Sequence, residues 1–405
     1  MGWTISEEQQ TQGGVRARVR LRRACAGLLL GATFGAAGCN RLKPKAPDAY
    51  VYVDAKQTYL RDRVAAVSNR TGSVENGERL EVLEHGRRFL RVKTDKGVTG
   101  WIDEKAVVPQ AVRDSFDAMA QRYAATVPVA SGVVRDEVYL HVNPGRDTEK
   151  LFRLAEGDKL KLLRRATLEK ALPPGQQMPA AVPVVRRGRG KATAGPAPVV
   201  DPNAPVPPPM EDWWLVRLAD GRAGWLLSRM IDVDAPDTLT RYSEGQRFVG
   251  AYILRKVNDP EAPMDDKDVP EWVAVLSPYK AGLPYDFDQV RVFIWNVKKH
   301  RYETAFRQKN IEGFLPVELA LARDPYAKTP QQTEPAPTFT IHVLPADAPP
   351  VVPDKVTGAV VAPRTTAKTY RLEGNVLRRI LPPNTEPPED AHPYPVEEKK
   401  KRGRR

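Results

Sequence analysis

The sequence predicts a mainly β chain: two small barrels joined by a helix, then a third β-rich domain, with proline-rich insertions expected to be disordered. Three observations carry this expectation. Short segments alternate polar and apolar residues, as in Leu80-Glu81-Val82 and Phe89-Leu90-Arg91-Val92, which is the pattern of half-buried strands. One set of such segments occurs twice. Finally, 38 prolines against 28 glycines in 405 residues are too many for one compact domain, so they gather in linkers or insertions.

The N-terminus reads as an address. Residues 15–23 (VRARVRLRR) hold five arginines and no acid, and Ala24 to Gly38 are small or apolar. A basic start before a short apolar core is a secretory signal, too short for a stable membrane span. Its end, Ala36-Ala37-Gly38-Cys39, resembles the lipobox of bacterial lipoproteins, with Ala36 where that family usually has Leu. The resemblance implies cleavage before Cys39 and lipid on its sulfur. With Asn40 next instead of Asp, it implies an outer-membrane anchor facing the periplasm. Residues 1–38 are then a signal peptide and 39–48 a tether. Losing 1–38 removes five Arg and two Glu, which takes the net charge from +13 to +10.

The duplication lies in the next 190 residues. Leu60 to Gly77 and Leu140 to Gly157 are both seventeen residues apart. Gly77-Glu78-Arg79-Leu80-Glu81-Val82-Leu83 matches Gly157-Asp158-Lys159-Leu160-Lys161-Leu162-Leu163 in spacing and alternation, and Gly97-Val98-Thr99-Gly100-Trp101 matches Gly221-Arg222-Ala223-Gly224-Trp225. Asp95-Lys96-Gly97 and Ala219-Asp220-Gly221 read as hairpin turns. Five short strands in about sixty residues make a small barrel. Both copies, 49–109 and 128–234, resemble bacterial Src-homology-3 (SH3) domains: an early Leu-x-x-Arg strand, a Gly before a Val-x-Val-Leu-like strand, then the Gly-Trp hairpin. The second copy departs where His141 replaces Arg61 and Asn143-Pro144-Gly145 replaces the following loop. The resemblance implies modules that bind peptide or peptidoglycan.

Between the copies, residues 110–127 form a helical linker in which Val112, Phe116, Met119 and Tyr123 make one apolar stripe. The second copy is interrupted at about 167–210. That stretch holds eleven prolines and the run Arg186-Arg187-Gly188-Arg189-Gly190-Lys191, and it has no hydrophobic periodicity, so it is expected to stay disordered. Residues 241–382 carry further strands (247–254, 271–276, 289–295, 301–307, 339–344 and 369–372) and are expected to form an open sheet or sandwich. The tail 383–405 ends in six basic residues against two acidic ones and is expected to be disordered.

No catalytic, metal or cofactor site is predicted. With only Cys25 and Cys39, a disulfide framework and a CxxC zinc site are excluded. The Cys/His pair of cell-wall endopeptidases is excluded too, because Cys39 is the one mature cysteine. His85, His141, His300, His342 and His392 make no metal-ligand pair at helical spacing. Asp265-Asp266-Lys267-Asp268 lacks the Gly and distal Glu of a calcium loop. Export separates the chain from nucleic acid, and +10 suits anionic wall polymer or lipid head groups. Tyr59, Tyr139 and Trp213 are the candidate ligand groove. Adjacent strand residues face opposite ways, and the phase of Val216 and Leu218 places Trp214 inside and Trp213 outside. Trp101 and Trp225 are assigned to the cores.

The expected function is a non-enzymatic, lipid-anchored envelope protein whose modules bind peptide or peptidoglycan. The alternative is a structural adaptor that holds protein partners of an envelope complex. A third reading is a hydrolase within 241–382, since carboxylate pairs for glycoside hydrolysis are invisible in sequence.

Overall fold

The computed structural model describes residues 49–65, 67–171 and 208–395. The signal peptide, Cys39, the tether to residue 48, most of the 167–210 insertion and residues 396–405 of the tail lie outside the described residues.

The described chain is mainly β. Strands β1 (Tyr50–Val53), β2 (Gln57–Arg61), β3 (Arg70–Glu75), β4 (Arg79–His85), β5 (Phe89–Thr94), β6 (Thr99–Asp103) and β7 (Val107–Pro109) form one antiparallel sheet in the order β3-β2-β6-β5-β4-β1-β7. Its alternate residues Val51, Val53, Leu60, Val74, Leu80, Leu90, Val92 and Ile102 make a separate small core. After helix α1 (Gln110–Tyr123) come β8 (Ala130–Val134), β9 (Val138–His141), β10 (Lys150–Leu154), β11 (Lys159–Glu169), β12 (Met210–Leu218), β13 (Ala223–Leu227) and β14 (Ile231–Val233). Their order, β10-β9-β13-β12-β11-β8-β14, repeats the first sheet strand for strand.

The Gly-Trp pair has a physical reason in both sheets. A Cβ on Gly100 would stand 2.7 Å from the Leu60 Cβ, and one on Gly224 would stand 2.9 Å from the Leu140 Cβ. Only glycine lets these strands cross so closely.

Helix α1 lies between the two sheets. Phe116, 1% exposed, meets the Phe152 ring edge-on at 5.2 Å, and such burial of a Phe contributes about 1.5–3 kcal/mol. Val112 is buried, while Met119 and Tyr123 are half-buried along the same stripe. Arg113 places its guanidinium 5.7 Å from the Tyr52 ring and 5.1 Å from the Phe152 ring. Beside the helix, Glu137 joins Lys56 of the first sheet to Arg153 of the second. Hydrogen bonds from Arg153 and Lys56 hold its carboxyl down to about 2.

Short helix α2 (Asp237–Thr240) leads to a third sheet, β15 (Gln246–Asn258), β16 (Asp268–Pro278), β17 (Phe287–Asn296), β18 (Arg301–Ala322), β19 (Ala336–Val343), β20 (Thr366–Glu373) and β21 (Val376–Arg379), with the turn α3 (Pro330–Thr333) between β18 and β19. All seven strands pair in chain order. One continuous apolar core runs from α1 through the second sheet into the third.

The sequence places the interruption of the second copy from about 167, but β11 continues to Glu169. Its last residues pair with β12 as far as Glu169↔Met210, and their other edge meets the segment between β19 and β20. Thr167 N donates to Gly358 O at 2.7 Å, and Ala166 bridges Ala359, so the otherwise open edge of β11 is covered. Arg165, with its side chain 5% exposed, donates to Asp286 Oδ1 at 2.8 Å and to the Leu283 and Tyr285 carbonyls at 3.0 and 2.8 Å. Asp212 accepts from Thr167 Oγ1 at 2.7 Å, from Gly282 N at 3.1 Å and from Arg247 Nη2 at 3.3 Å. Buried charges need such partners.

Candidate ligand-binding surface

In β6 the alternation Gly100-Trp101-Ile102 turns Gly100 and Ile102 inward, so Trp101 faces out and is half-buried. Arg91 of β5 lies opposite it on one side and Arg61 of β2 on the other. Arg61 in turn faces Arg70 of β3, and Arg91 faces Glu84 of β4. Opposite residues of antiparallel strands share a face. Glu84, Arg91, Trp101, Arg61 and Arg70 therefore form one row across five strands. With strands about 4.8 Å apart, Arg91 and Arg61 spring from backbones about 10 Å apart with the indole between them.

Neighbouring groups shape the row. The Arg70 guanidinium stacks 3.8 Å above the Tyr59 ring, and Tyr59 is 37% exposed. Arg61 Nη1 donates to Ser68 Oγ at 2.9 Å. The indole rests on the β4–β5 turn, since a Cβ at Gly86 would stand 3.2 Å from Trp101 Cζ3. That turn continues as Arg87-Arg88, both exposed.

The second sheet has the same row in different chemistry: Arg164, Leu215, Trp225, His141 and Lys150. Leu215 is fully buried. The loop 142–149 is tied across this face by Arg146, whose Nε donates to Glu211 Oε1 at 2.9 Å. Thr148 Oγ1 lies 3.0 Å from His141 Nδ1 and 2.8 Å from both the Asn143 and Gly145 carbonyl oxygens. Burial, then Lys150, pulls the His141 imidazole below its ordinary value.

The aromatic residues singled out in the sequence fall in different places. Tyr59 on β2 and Tyr139 on β9 occupy equivalent strands of separate sheets, and Tyr139 is half-buried beneath Lys150, 4.7 Å from the ring centre. Trp213 was expected to face outward uncovered, but it is 2% exposed. The His141 ring meets it edge-on at 5.2 Å, and Arg146 draws the loop over its neighbour Glu211. Trp214 belongs to the core with Leu160, Leu162 and Val216. No ring contact among the described residues joins Tyr59, Tyr139 and Trp213. Trp101 and Trp225, assigned to the cores, are half-exposed on outer faces. The signal for this was present, because the inward Gly and Ile or Leu on either side force each Trp outward.

A cleft of about 810 Å³ lies where the second sheet meets the third, walled by Leu162, Trp214, Ile231 and Phe248. Its size is that of small-ligand sites, and its buried charges, Arg165, Asp212 and Asp286, bond to one another. Among the described residues no three His, Cys, Asp or Glu side chains converge as a metal site, and no helix is long and apolar enough to cross a membrane.

Residues 57–108 match the bacterial SH3 domain family. No curated protein matches the chain. Among solved structures, an NlpC/P60 family protein from Bacillus cereus is 10% identical, with 64% of this chain and 99% of that one covered, at a TM-score of 0.20. NlpC2 from Trichomonas vaginalis is 8% identical, with 82% and 97% covered, at 0.14. Neither score is high enough to carry an argument. The family match spans β2 to β7 and contains the whole Trp101 row: residues 57–108 are a bacterial SH3 domain.

Proposed function

We propose that the protein is held in the outer membrane by lipid on Cys39, faces the periplasm, and binds peptide or peptidoglycan without catalysing a reaction. The observation that carries this reading is the SH3 match at 57–108 on a barrel whose outer face leaves Trp101 half-exposed between Arg91 and Arg61. Aromatic side chains flanked by guanidiniums are frequent anchors of recognition. The second seven-stranded sheet is read as another copy of the same module, on its identical strand order and the repeated Gly-Trp hairpin. Support for the anchor is in the sequence alone, in the basic and apolar segments that end at Cys39.

Sedimentation with purified sacculi tests binding: the protein should pellet with them, and Trp101→Ala should stay in the supernatant. Protein that never pellets with sacculi, yet pulls envelope proteins from extracts, would favour the adaptor reading. Metabolic labelling with a fatty acid tests the anchor, with label expected on the wild type and none on Cys39→Ser.

A further inference from the structure

We infer that the ligand of this surface carries free carboxylates and that the first module alone recognises them. The inference rests on the peptide or peptidoglycan reading above and adds the ligand's charge class and its place.

Five arginines lie on this face or its rim: Arg61 and Arg91 on either side of Trp101 in the row, Arg70 at the end of the row, and the exposed Arg87 and Arg88 on the β4–β5 turn. Among the described residues only Arg91 has a carboxylate within 4 Å, Glu84 at 3.7 Å. Both members of that pair are half-exposed, so their attraction is worth little. Nearby acids are already engaged elsewhere. Asp62 accepts from Asn69 N at 2.9 Å, and Asp103 caps Lys105 N at 2.9 Å. Arg61 bonds only the neutral Ser68 hydroxyl, so the surface presents planar donor forks with few carboxylates to meet them. Guanidiniums pair with carboxylates through two parallel hydrogen bonds. Roots about 10 Å apart, with an indole between them, suit two carboxylates separated by an apolar or sugar surface. Stem peptides of wall polymer offer free carboxylates of this kind.

The equivalent row of the second module keeps a half-exposed Trp225 but has lost the guanidiniums that flank it. Leu215 stands where Arg91 does and is buried. His141 stands where Arg61 does, half-buried and tied to Thr148. Lys150 replaces Arg70 and lies over Tyr139. Arg146 and Glu211 close the loop across the face. Duplication has left one copy for recognition and turned the other into the joint that binds α1 and the third sheet.

The test measures retention of the full chain carrying Cys39→Ser, which removes the anchor lipid and the need for detergent, on native sacculi, on sacculi whose carboxylates have been amidated with carbodiimide and ammonia, and on phosphatidylglycerol vesicles. Amidation should weaken retention at least about tenfold, the scale of one lost charge-assisted contact. Arg61→Gln/Arg91→Gln should lose as much on native sacculi and nothing further on amidated ones. Lys150→Gln/Arg164→Gln removes the same charge from the second module and should bind like the wild type. Equal retention before and after amidation would overturn the carboxylate class while leaving wall binding intact. Equal losses from the two double variants would overturn the confinement to the first module. Tighter retention on vesicles than on sacculi would overturn the inference in favour of a lipid surface. No retention on native sacculi would remove both the inference and the reading beneath it.

Discussion

The side-chain amide of Asn76 acts as a strand neighbour for Arg153. Its Oδ1 accepts from Arg153 N at 2.8 Å while its Nδ2 donates to Leu151 O at 2.7 Å. Two residues of β10 thus exchange both backbone hydrogen bonds with one side chain from the first module. The same Nδ2 lies 2.8 Å from Asp54 O, so the amide is shared between the turn it belongs to and the edge it covers. Asn76→Ala should leave these part-buried groups unmatched and cost about 1–3 kcal/mol. Urea unfolding checks this, and a loss below about 0.5 kcal/mol would mean that water takes over the contacts.

Trp213 and Trp214 are both buried, so each alanine replacement should destabilise by about 3–5 kcal/mol. Neither should change retention on sacculi per folded molecule. Trp101→Ala should do the opposite, with a small change in the melt and a large one in retention. Circular dichroism melts beside the sedimentation assay separate the two patterns.

Arg165 lies between Asp212 and Asp286 at the contact of the second and third sheets. Arg165→Ala leaves Asp286 without its cation and Asp212 with Arg247 alone, and should cost about 3 kcal/mol. If denaturant unfolding shows less than about 1 kcal/mol, the carboxylates have reached water or taken up protons.

The His141 imidazole is held below its ordinary value of 6.5, so the folded protein prefers it neutral. The unfolded chain takes up the proton first as pH falls. The contribution to stability is therefore complete above about pH 6.5 and is lost as pH drops through the lower folded value. His141→Asn should flatten the stability profile between about pH 7 and pH 5. Identical slopes for the variant and the wild type would show that His141 does not titrate in that window.

Much of the fold was legible because period-two alternation and a repeated Gly-Trp hairpin are local signals. Gly100 and Gly224 mark close strand crossings, and Val112 and Phe116 mark the buried face of α1. What sequence could not show are contacts between distant residues. Trp213 is covered because Arg146 reaches Glu211, 65 residues away. β11 runs past the point where its pattern fades because it pairs with β12 as far as Met210, more than forty residues on, and Gly358 accepts from Thr167 on its other edge. The arginines of the Trp101 row were in plain view, but Arg61, Arg91 and Trp101 become neighbours only once β2 and β5 flank β6 in the sheet.

The strand order also sets an order of folding. The third sheet pairs every strand with its chain neighbour, so its pairings are local in the chain and its assembly should be fast. The first module has nested, longer closures but a core of its own, and can complete without waiting for the rest of the chain. The second module is different. Its hairpin β11–β12 must close over residues 170–209, and Arg165, Thr167 and Asp212 complete their bonding with residues that come after them in the chain, Asp286, Gly358 and Gly282. The first module is thus ready early, while the second is finished only when the third sheet is in place as its template.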